Sequence, residues 1–385
     1  MQGPRASKKE EFQSVLDLIN QVFRLSNLFA PTMGTEFPLL LCDENLDNMR
    51  IIVEDGKPVS NVNYYTTNIS IEGATLKAAS VGAVCTHPNY RGKNYATQLL
   101  DDVEARMKNH GVEVMLVSGS RDLYLRRNCV KVGGFYKGQL ESKQTEIQDY
   151  LSLVEISSTN IDQAIRIFNQ EPTKYKRTYE EFINLYQGAT THWSNLYYKS
   201  YLLIKREKAI AYIIVKFIIG ENRAEIKEYA GDRRSVITGI NKLIEMHELK
   251  ECSLIVPQHD MMNTLLEEAG VSLQSQEQQG TIKVINYTSL MRSLRPYMKQ
   301  YLPCDTVEEL DFVEEDGQYM ITTRDETLVI GSMDLLGQLI FGQRGQDGIV
   351  DVLFNNELAD KSKLKLVLST VFPIPFPWTG NMNYI

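Results

Sequence analysis

The chain has 385 residues, more than one hydrophobic core usually holds, so its length predicts two or three domains. Apolar residues make up 43% and charged residues 23%, as in globular proteins, and the net charge of −8 disfavours nucleic acid as a partner. Five cysteines without a CxxC pair argue against a disulfide framework and a zinc site. A hydrophilic N-terminus and the lack of a long apolar stretch predict a cytoplasmic protein without a membrane span.

The first part of the chain predicts a helix followed by antiparallel strands. Ser7 and Glu10 form a capping box before apolar residues with helical spacing, and Asp55-Gly56 is typical of a hairpin turn. The predicted elements are a helix at 12–23, strands at 49–53, 59–66 and 68–71, a long strand up to Cys85, a helix from Tyr95 to His110, a strand at 112–118 and a short helix that contains Tyr124.

The most informative segment is Val81–Leu100. An apolar strand ends in a turn at Pro88, a short basic stretch follows, and a helix begins at Tyr95. This order directs free backbone N–H groups, the positive end of the helix dipole and the side chains of Arg91 and Lys93 to one point. Such a point binds a pyrophosphate, although an ordinary surface turn with a basic loop is the alternative.

The same segment resembles the signature of the GCN5-related N-acetyltransferases (GNAT), Arg/Gln-x-x-Gly-x-Gly/Ala, in the spacing Arg91-x-x-Asn94-x-Ala96. Asn94 stands where the family usually has glycine, and asparagine is the next most tolerant residue of unusual backbone angles. The resemblance implies acetyl-CoA as cosubstrate, with its pantetheine arm at the strand end and its pyrophosphate at the helix. The coenzyme-binding residues that it implies are Val84, Cys85, Thr86, Arg91, Gly92, Lys93, Asn94, Tyr95, Ala96, Thr97 and Ser120.

Residues 150–287 repeat this order of elements without the signature. The predicted elements are helices at 160–169, 179–186, 235–247 and 260–269 and strands at 201–205, 209–219, 223–229 and 252–256. The turn that corresponds to the signature reads Ala230-Gly-Asp-Arg-Arg-Ser235, in which the acidic side chain of Asp232 would repel a pyrophosphate. We therefore expect a degenerate copy without a coenzyme site, the alternative being an unrelated α/β domain.

The third block, residues 288–385, predicts a mixed domain with an unusual tail. The predicted elements are a helix at 290–301 interrupted by Pro296, strands at 307–314 and 319–323 about Asp316-Gly317, and a helix at 332–341. The tail, from Val371 to Ile385, carries alternating prolines and several aromatic residues, so we expect it to be extended and tucked into the protein.

The three blocks together resemble the Eis-like (enhanced intracellular survival) acetyltransferases, whose third domain is similar to a sterol carrier protein. The resemblance implies an α/β (α+β) class, with tandem GNAT folds of mixed, largely antiparallel sheets at 1–149 and 150–287 and a sterol-carrier-protein-like domain at 288–385. It also implies Tyr124 as general acid and the C-terminal carboxylate of Ile385, threaded into the active site, as general base. The implied assembly is a homo-oligomer, for example a hexamer.

The signature strand bears on the choice of base. Many GNAT enzymes place a glutamate there, but the stretch 77–83 has no carboxylate, so the base is Ile385 or a water molecule. His87 precedes a proline in a turn and is expected to be structural, and Cys85 is expected to be buried and inert. Glu36 and Asp43 follow the first helix, where we expect the acceptor pocket and ammonium groups of the substrate.

These observations predict an acetyl-CoA-dependent N-acetyltransferase that transfers the acetyl group directly to a primary amine and needs no metal. The expected acceptor is a small cation of aminoglycoside or polyamine type, or a protein lysine, with neither nucleic acid nor a membrane as partner. The alternative is a non-catalytic sensor that binds CoA or a lipid-like ligand on the same fold.

Overall fold

The structure, a computed structural model of the chain, describes residues 1–141, 151–192, 194–343, 348–354 and 362–384. Its strands are β1 Gln2–Ala6, β2 Met49–Glu54, β3 Lys57–Ile71, β4 Ala74–Thr86, β5 Val114–Val117, β6 Phe135–Glu141, β7 Leu151–Glu155, β8 Thr173–Tyr175, β9 Leu196–Lys205, β10 Lys208–Ile218, β11 Arg223–Gly231, β12 Glu251–Pro257, β13 Gln274–Gln276, β14 Thr281–Val284, β15 Asp311–Glu315, β16 Gln318–Thr322 and β17 Thr327–Ile330.

The helices are α1 Phe12–Phe23, α2 Met33–Glu36, α3 Tyr95–Asn109, α4 Asp122–Leu125, α5 Ile161–Asn169, α6 Tyr179–Ala189, α7 Arg233–Met246, α8 Met262–Glu268, α9 Tyr287–Ser293, α10 Arg295–Tyr301, α11 Cys304–Glu309, α12 Met333–Phe341, α13 Ile349–Leu353 and α14 Lys363–Val371. Short 3-10 helices lie at Lys9–Glu11, Leu25–Asn27, Asp43–Asn48 and Pro88–Tyr90. No helix in the described ranges is long and apolar enough to cross a membrane.

The first sheet has the strand order β1-β2-β3-β4-β5-β14, and β8 pairs with the far end of β3. Its neighbouring strands are antiparallel except β4 and β5, which are parallel over residues 78–81 and 114–117 and then separate. Helix α3 buries the apolar side of its amphipathic pattern, including Leu99 and Val103, against the sheet. Helix α1 packs through Val15 and Ile19 with residues of β2 and β4 in a second cluster.

The second sheet has the order β7-β9-β10-β11-β12-β6-β13, which repeats the arrangement of the first sheet. Here β11 and β12 form the parallel pair, over residues 223–225 and 251–253, and then separate. Helix α7 packs on the sheet through Val236 and Ile240, and α5 belongs to a different cluster that includes Ile165 and Tyr212. Each sheet therefore has a divergent parallel pair at its centre.

The two sheets exchange a strand. β6 follows the first sheet in sequence but pairs with β12 of the second, and β14 follows the second sheet but pairs with β5 of the first, both antiparallel. The sequence segments 1–149 and 150–287 thus each contribute a strand to the other sheet. This exchange ties the two divergent pairs into one folded unit.

The third block contains the antiparallel sheet β15-β16-β17 and helices α9 to α14. Its apolar core is continuous with that of the first sheet, because Leu290, Leu336 and Phe372 share one cluster with Leu76 and Val114. The extended tail is buried, as its composition predicts, with Phe372, Ile374, Phe376 and Met382 each 5% exposed or less.

The predicted class, mixed α/β with sheets of mixed orientation, is confirmed. The helix of the third block is divided at Pro296 into α9 and α10, as predicted. The predicted capping box is shifted by one residue, since the Glu11 carboxylate accepts from the backbone N–H of Lys8 over 2.9 Å. Two other local predictions are wrong. Residues 57–71 form one continuous strand, because β4 extends far enough to pair with all of it, and Val307 lies in α11, so that the following strand begins only at Asp311.

Candidate active site

The N-terminus of α3 is open. Its N-cap residue, Asn94, adopts the left-handed conformation with φ 59°. The Asn94 side chain does not accept a hydrogen bond from the N–H groups of the first helical turn, all of which the structure describes. The first N–H groups of an α-helix have no partner within the helix, so they point outward here. Gly92 has φ 80°, and a Cβ built on it would meet no atom within 4 Å. The backbone N–H of Arg91 donates to the carbonyl oxygen of Pro88 over 3.3 Å. The backbone at 92–97, with Ala96 and Thr97 in the first turn, has the donors and the space that a pyrophosphate needs.

Two cations stand beside this helix end. Arg91 is exposed, and its Nε donates to the carbonyl oxygen of Thr86 over 3.4 Å. Lys93 forms an ion pair of 3.0 Å with Glu54, which also accepts a hydrogen bond from the hydroxyl of Tyr95. Glu54 thus holds the Lys93 and Tyr95 side chains, whereas Arg91 forms no ion pair with a carboxylate of the described residues. Arg91 is therefore the cation available to a phosphate.

Strand β4 contains a bulge just before the signature loop. In the ladder with β3, Asn61 lies opposite Cys85 and Asn63 opposite Gly82, so that Ala83 and Val84 together face one residue of β3. Ala83 has φ 50°, and its carbonyl oxygen accepts from the side-chain amides of Asn61 at 2.7 Å and Asn63 at 3.3 Å. A bulge leaves a backbone group out of the ladder, so an N–H here can donate to a ligand carbonyl.

Asn61 and Asn63 are fully buried, and the sequence analysis did not select them. The available signal was a pair of asparagines at alternating positions of a predicted strand. Both hold the carbonyl of Ala83, so they fix the direction of the bulge. They are positioning residues, because they act through the backbone of β4.

The side chains at the end of β4 form hydrogen bonds with other groups of the protein. The Cys85 thiol donates to the Asn61 side-chain oxygen over 3.0 Å, and burial raises the pKa of that thiol well above its ordinary value. Thr86 shares a hydrogen bond of 2.7 Å with the Ser60 hydroxyl. His87 accepts from the backbone N–H of Asn89 over 3.3 Å, which is a turn contact. At Cys85 and Thr86, the main chain is the part that can contact a coenzyme.

Tyr124 lies on α4, beyond the end of β5. It is 7% exposed and belongs to the apolar cluster under α3 with Leu99 and Val117. Burial raises the pKa of its hydroxyl to about 12, so Tyr124 stays protonated at neutral pH. A Cβ on Gly119 would lie 2.9 Å from its ring, so this position requires glycine, and the next residue, Ser120, is exposed.

A cavity of about 660 Å³ lies between the two sheets. One side of its wall comes from residues 1–149, the first block of the chain, through the α1–α2 segment, Ala83 of the bulge and Ser118 after β5. The other side comes from β6, β9, β10, β11 and β12 of the second sheet, where the parallel pair has separated. The tail closes it with Trp378, Met382 and Tyr384. The cavity thus joins the bulged strand, the second sheet and the tail.

The two residues predicted to bind the acceptor differ in position. Glu36 lines the cavity, but its carboxylate pairs with Arg24 at 2.6 Å and accepts from the Thr32 hydroxyl, so its charge is already neutralised. Asp43 pairs with Lys9 at 2.9 Å and is not among the described residues that line the cavity. The sequence could not predict the Arg24–Glu36 pair because it depends on the turn between α1 and α2.

A buried ion pair anchors the tail. Arg177 and Glu228 form two hydrogen bonds of 2.9 and 2.7 Å, and the Tyr212 hydroxyl donates to the same carboxylate over 2.7 Å. Glu228 also accepts from the backbone N–H of Met382 over 3.3 Å, and Arg177 donates to the Asn383 side-chain oxygen over 2.7 Å. Burial favours neutral Glu228, but Arg177 and Tyr212 hold the pKa of Glu228 below its ordinary value.

Sequence reasoning missed this anchor, since Arg177 and Glu228 are 51 residues apart and no local pattern links them. It holds the residues just before Tyr384, the last described residue, which lines the cavity. Ile385, the predicted base, lies outside the described residues.

The N-terminus of α7 is closed by the protein's own carboxylates. Asp232 is the N-cap residue, and its side chain accepts from the N–H of Ser235 over 2.8 Å. Glu171 accepts from the N–H of Gly231 over 2.8 Å and pairs with Arg233 at 2.7 Å, while Arg233 also pairs with Asp260 at 2.9 Å. These contacts give a physical reason for the prediction that the second copy lacks a coenzyme site.

Residues 4–130 match the family model described as an acetyltransferase (GNAT) domain. This part of the chain is a GNAT acetyltransferase domain. The prediction that the protein is an acetyltransferase with a GNAT domain is confirmed. The GNAT fold is one that binds acetyl-CoA. A comparison with curated proteins gives no match. Among the described residues, no group of three or more His, Cys, Asp or Glu side chains could hold a metal ion.

Several solved structures resemble the chain over almost its whole length, as the Eis-like architecture predicts. A GCN5-related N-acetyltransferase from Anabaena variabilis is 12% identical, with 95% of each chain covered and a TM-score of 0.64. A probable N-acyltransferase from Enterococcus faecalis is 13% identical, with 95% of each chain covered and a TM-score of 0.65. Eis1 from Mycobacterium abscessus is 12% identical, with 98% of each chain covered and a TM-score of 0.63. At such identities the likeness establishes the fold alone.

Proposed function

We propose that the chain is an acetyl-CoA-dependent N-acetyltransferase that transfers the acetyl group directly to a primary amine. The observation that carries the proposal is the open N-terminus of α3, which follows the strand that contributes Ala83 to the cavity wall. One extended coenzyme can therefore contact both the helix end and the cavity. The bulge beside Ala83 adds a donor for the thioester carbonyl.

Acetyl-CoA supplies the activated acetyl group as a thioester. In the proposal, backbone N–H groups of residues 92–97 hold its pyrophosphate, and the Arg91 guanidinium adds charge. The main chain of Val84, Cys85 and Thr86 holds the pantetheine arm. The N–H group that the bulge leaves unpaired donates to the thioester oxygen as negative charge develops there.

Transfer forms a bond between the amine nitrogen and the acetyl carbon and breaks the bond from that carbon to sulfur. One proton leaves the amine, and one must reach the departing thiolate. Tyr124 is the proposed donor to sulfur, because burial keeps its hydroxyl protonated. The C-terminal carboxylate of Ile385 is the proposed acceptor of the amine proton, which the position of Tyr384 in the cavity wall supports.

The proposed acceptors are those that the sequence suggests, a small cation of aminoglycoside or polyamine type or a protein lysine. Glu36 helps to shape the cavity rather than to attract a cation, since Arg24 neutralises it. A homo-oligomer, with a hexamer as one form, and a sterol-carrier-protein-like domain formed by the third block are also part of the proposal.

Release of CoA thiol from acetyl-CoA, measured across a panel of amines, tests the proposal. The panel should include an aminoglycoside, a polyamine, an amino sugar and a lysine peptide, with mass spectrometry of the acetylated product. We expect thiol release that depends on the amine and yields one acetyl group per thiol. Tight binding of acetyl-CoA without amine-dependent release from any member would contradict the proposal and favour the non-catalytic sensor.

A further inference from the structure

The positive side chains of the described cavity wall outnumber the negative ones. Two pairs neutralise each other: Arg24 with Glu36, and Lys216 with Glu225. Two further lysines, Lys137 and Lys227, also line the cavity, and neither is within ion-pair distance of a carboxylate of the described residues. The described wall therefore carries an excess of two positive charges.

Both lysines project from the opened part of the second sheet. Lys137 lies on β6 opposite Ile255 of β12, which also lines the cavity. Lys227 lies on β11 between Ile226 and Glu228, where the ladder with β10 shifts register, and both Lys227 and Glu225 line the cavity. Ser253 of β12 lies on the cavity wall as well and adds a hydroxyl. The donors thus converge from strands on both sides of the divergence.

Lys227 is partly buried and meets an aromatic ring in place of a carboxylate. Its Nζ lies 5.3 Å from the centre of the Tyr384 ring. Burial and the neighbouring Lys216 lower the pKa of Lys227 to about 8. The carboxylates of Glu228 and Glu225 oppose this shift but do not cancel it. A cation withdrawn from water with incomplete compensation is destabilised, and an anion brought by a ligand would relieve that cost.

We propose that the amine acceptor of this enzyme also carries an anionic group, a carboxylate or a phosphate, which Lys137 and Lys227 bind while the amine faces the first block. This inference rests on the proposed transfer of acetyl to a primary amine, and it replaces the polycationic acceptors named there with amines that also carry an anion. A polyamine would instead bring its cations against these lysines. The anionic group takes no part in the reaction, so the proton and bond changes described for acetyl transfer are unaltered.

Two matched pairs of acceptors test the inference with the intact chain. Lysine and cadaverine differ by a carboxylate, and glucosamine 6-phosphate and glucosamine differ by a phosphate. We expect kcat/KM to be about tenfold or more higher for the anionic member of at least one pair, and the pair that responds identifies the anion. The double variant Lys137→Met and Lys227→Met should bring that ratio close to one, since methionine keeps most of the apolar stem without the charge.

Lys208→Met is the matched control, because Lys208 is an exposed lysine of β10 outside the described cavity wall, and it should leave the ratio unchanged. Turnover with equal kcat/KM for both members of each pair would overturn the inference and leave the proposed function intact. In the double variant, an equal loss of kcat/KM for charged and uncharged amines would also overturn the inference. That result would mean that the lysines support the structure of the tail and do not bind an anion.

Calorimetric titration of glucosamine 6-phosphate and of lysine into the CoA complex tests the anion site without turnover. We expect at least one of them to bind about tenfold more weakly to the double variant than to the native chain. Equal affinities for both proteins would contradict the anion site. Absence of thiol release with every amine, beside a charge-dependent affinity, would contradict the proposed function alone.

Discussion

Helices α3 and α7 follow equivalent strands of the two sheets, β4 and β11, but their N-termini differ. At α3 the N-cap residue Asn94 adopts the left-handed conformation and makes no side-chain cap, so the first N–H groups are open. At α7 the Asp232 carboxylate caps the helix, and Glu171 accepts from the preceding N–H of Gly231. The same place in the fold thus offers free donors in one copy and engaged donors in the other.

This difference shows that a few side chains decide whether the fold presents an anion site. An N-cap carboxylate stabilises a helix by about 1 kcal/mol, but it uses the donors that a phosphate would need and brings its own negative charge. In the second copy Arg233 is also engaged, with Glu171 and Asp260. The second sheet keeps its divergent strands, and these line the cavity.

We expect the largest effect on acetyl-CoA binding from placing an aspartate at the N-cap of α3, as α7 has at Asp232. Asn94→Asp keeps the size and tolerates the left-handed conformation, but it places a carboxylate beside the pyrophosphate. Two unit charges about 4 Å apart repel by about 4 kcal/mol at an effective dielectric of 20. Asn94 is exposed, so screening by water and salt reduces this repulsion, and we expect Kd for acetyl-CoA to rise about a hundredfold or more. Calorimetry measures this change.

The matched control is Asp232→Asn, because asparagine caps a helix about as well as aspartate. It should leave the affinity for acetyl-CoA unchanged. A similar loss of affinity in both variants would mean that both helix ends serve the coenzyme.

The two copies also differ in the helix that follows the second strand of the parallel pair. Helix α4, after β5, contains Tyr124, whereas α8, after β12, contains no tyrosine. Tyr124→Phe removes only the proton that we assign to the leaving sulfur, so kcat should fall about a hundredfold while Kd for acetyl-CoA is kept. Steady-state kinetics with the best amine measure both. Tyr136→Phe is the control, because the Tyr136 hydroxyl is engaged elsewhere, accepting from the Gln343 side chain over 3.2 Å. A change confined to KM would make Tyr124 an acceptor contact.

The tail distinguishes the copies as well, because it lies against the second sheet and lines the cavity. A Gly-Ser pair added after Ile385 would move the terminal carboxylate by several ångströms, since each residue spans roughly 3.3 Å. We expect kcat/KM to fall by about tenfold or more with little change in Tm. Equal activity of the extended and native chains would remove the terminal carboxylate from the mechanism.

The smallest effect concerns the charge beside each helix. Arg91→Glu should weaken acetyl-CoA binding about fivefold, because an exposed charge is screened by water and salt. The effect should shrink at high ionic strength. Arg234→Glu is the matched control, because Arg234 is an exposed arginine in the first turn of α7. It should leave the affinity for acetyl-CoA unchanged. A salt-independent loss at Arg91 would indicate a structural role.

The sequence predicts much of the first copy because its signals are local. The turn at Pro88, the basic stretch and the apolar spacing of α3 lie within twenty residues, so they predict the helix end and its chemistry together. Asp232 similarly signals the closed end of α7.

Long-range pairings escape such reasoning. The exchange of β6 and β14 depends on strands that are far apart in sequence, and the Arg177–Glu228 anchor joins separate elements. The bulge at Ala83 arises from the register of β3 against β4, which no residue of β4 alone reveals. The ion pair that neutralises Glu36 is hidden from the sequence for the same reason, because Arg24 meets Glu36 only in the folded chain.

Hydrogen–deuterium exchange with and without acetyl-CoA tests the central claim most directly, since it monitors both helix ends in the native chain. The account predicts that acetyl-CoA slows exchange of the amides at 92–97 and leaves those at 232–237 unchanged. Slowing at both helix ends, or no change at 92–97 under conditions where acetyl-CoA binds, would contradict it.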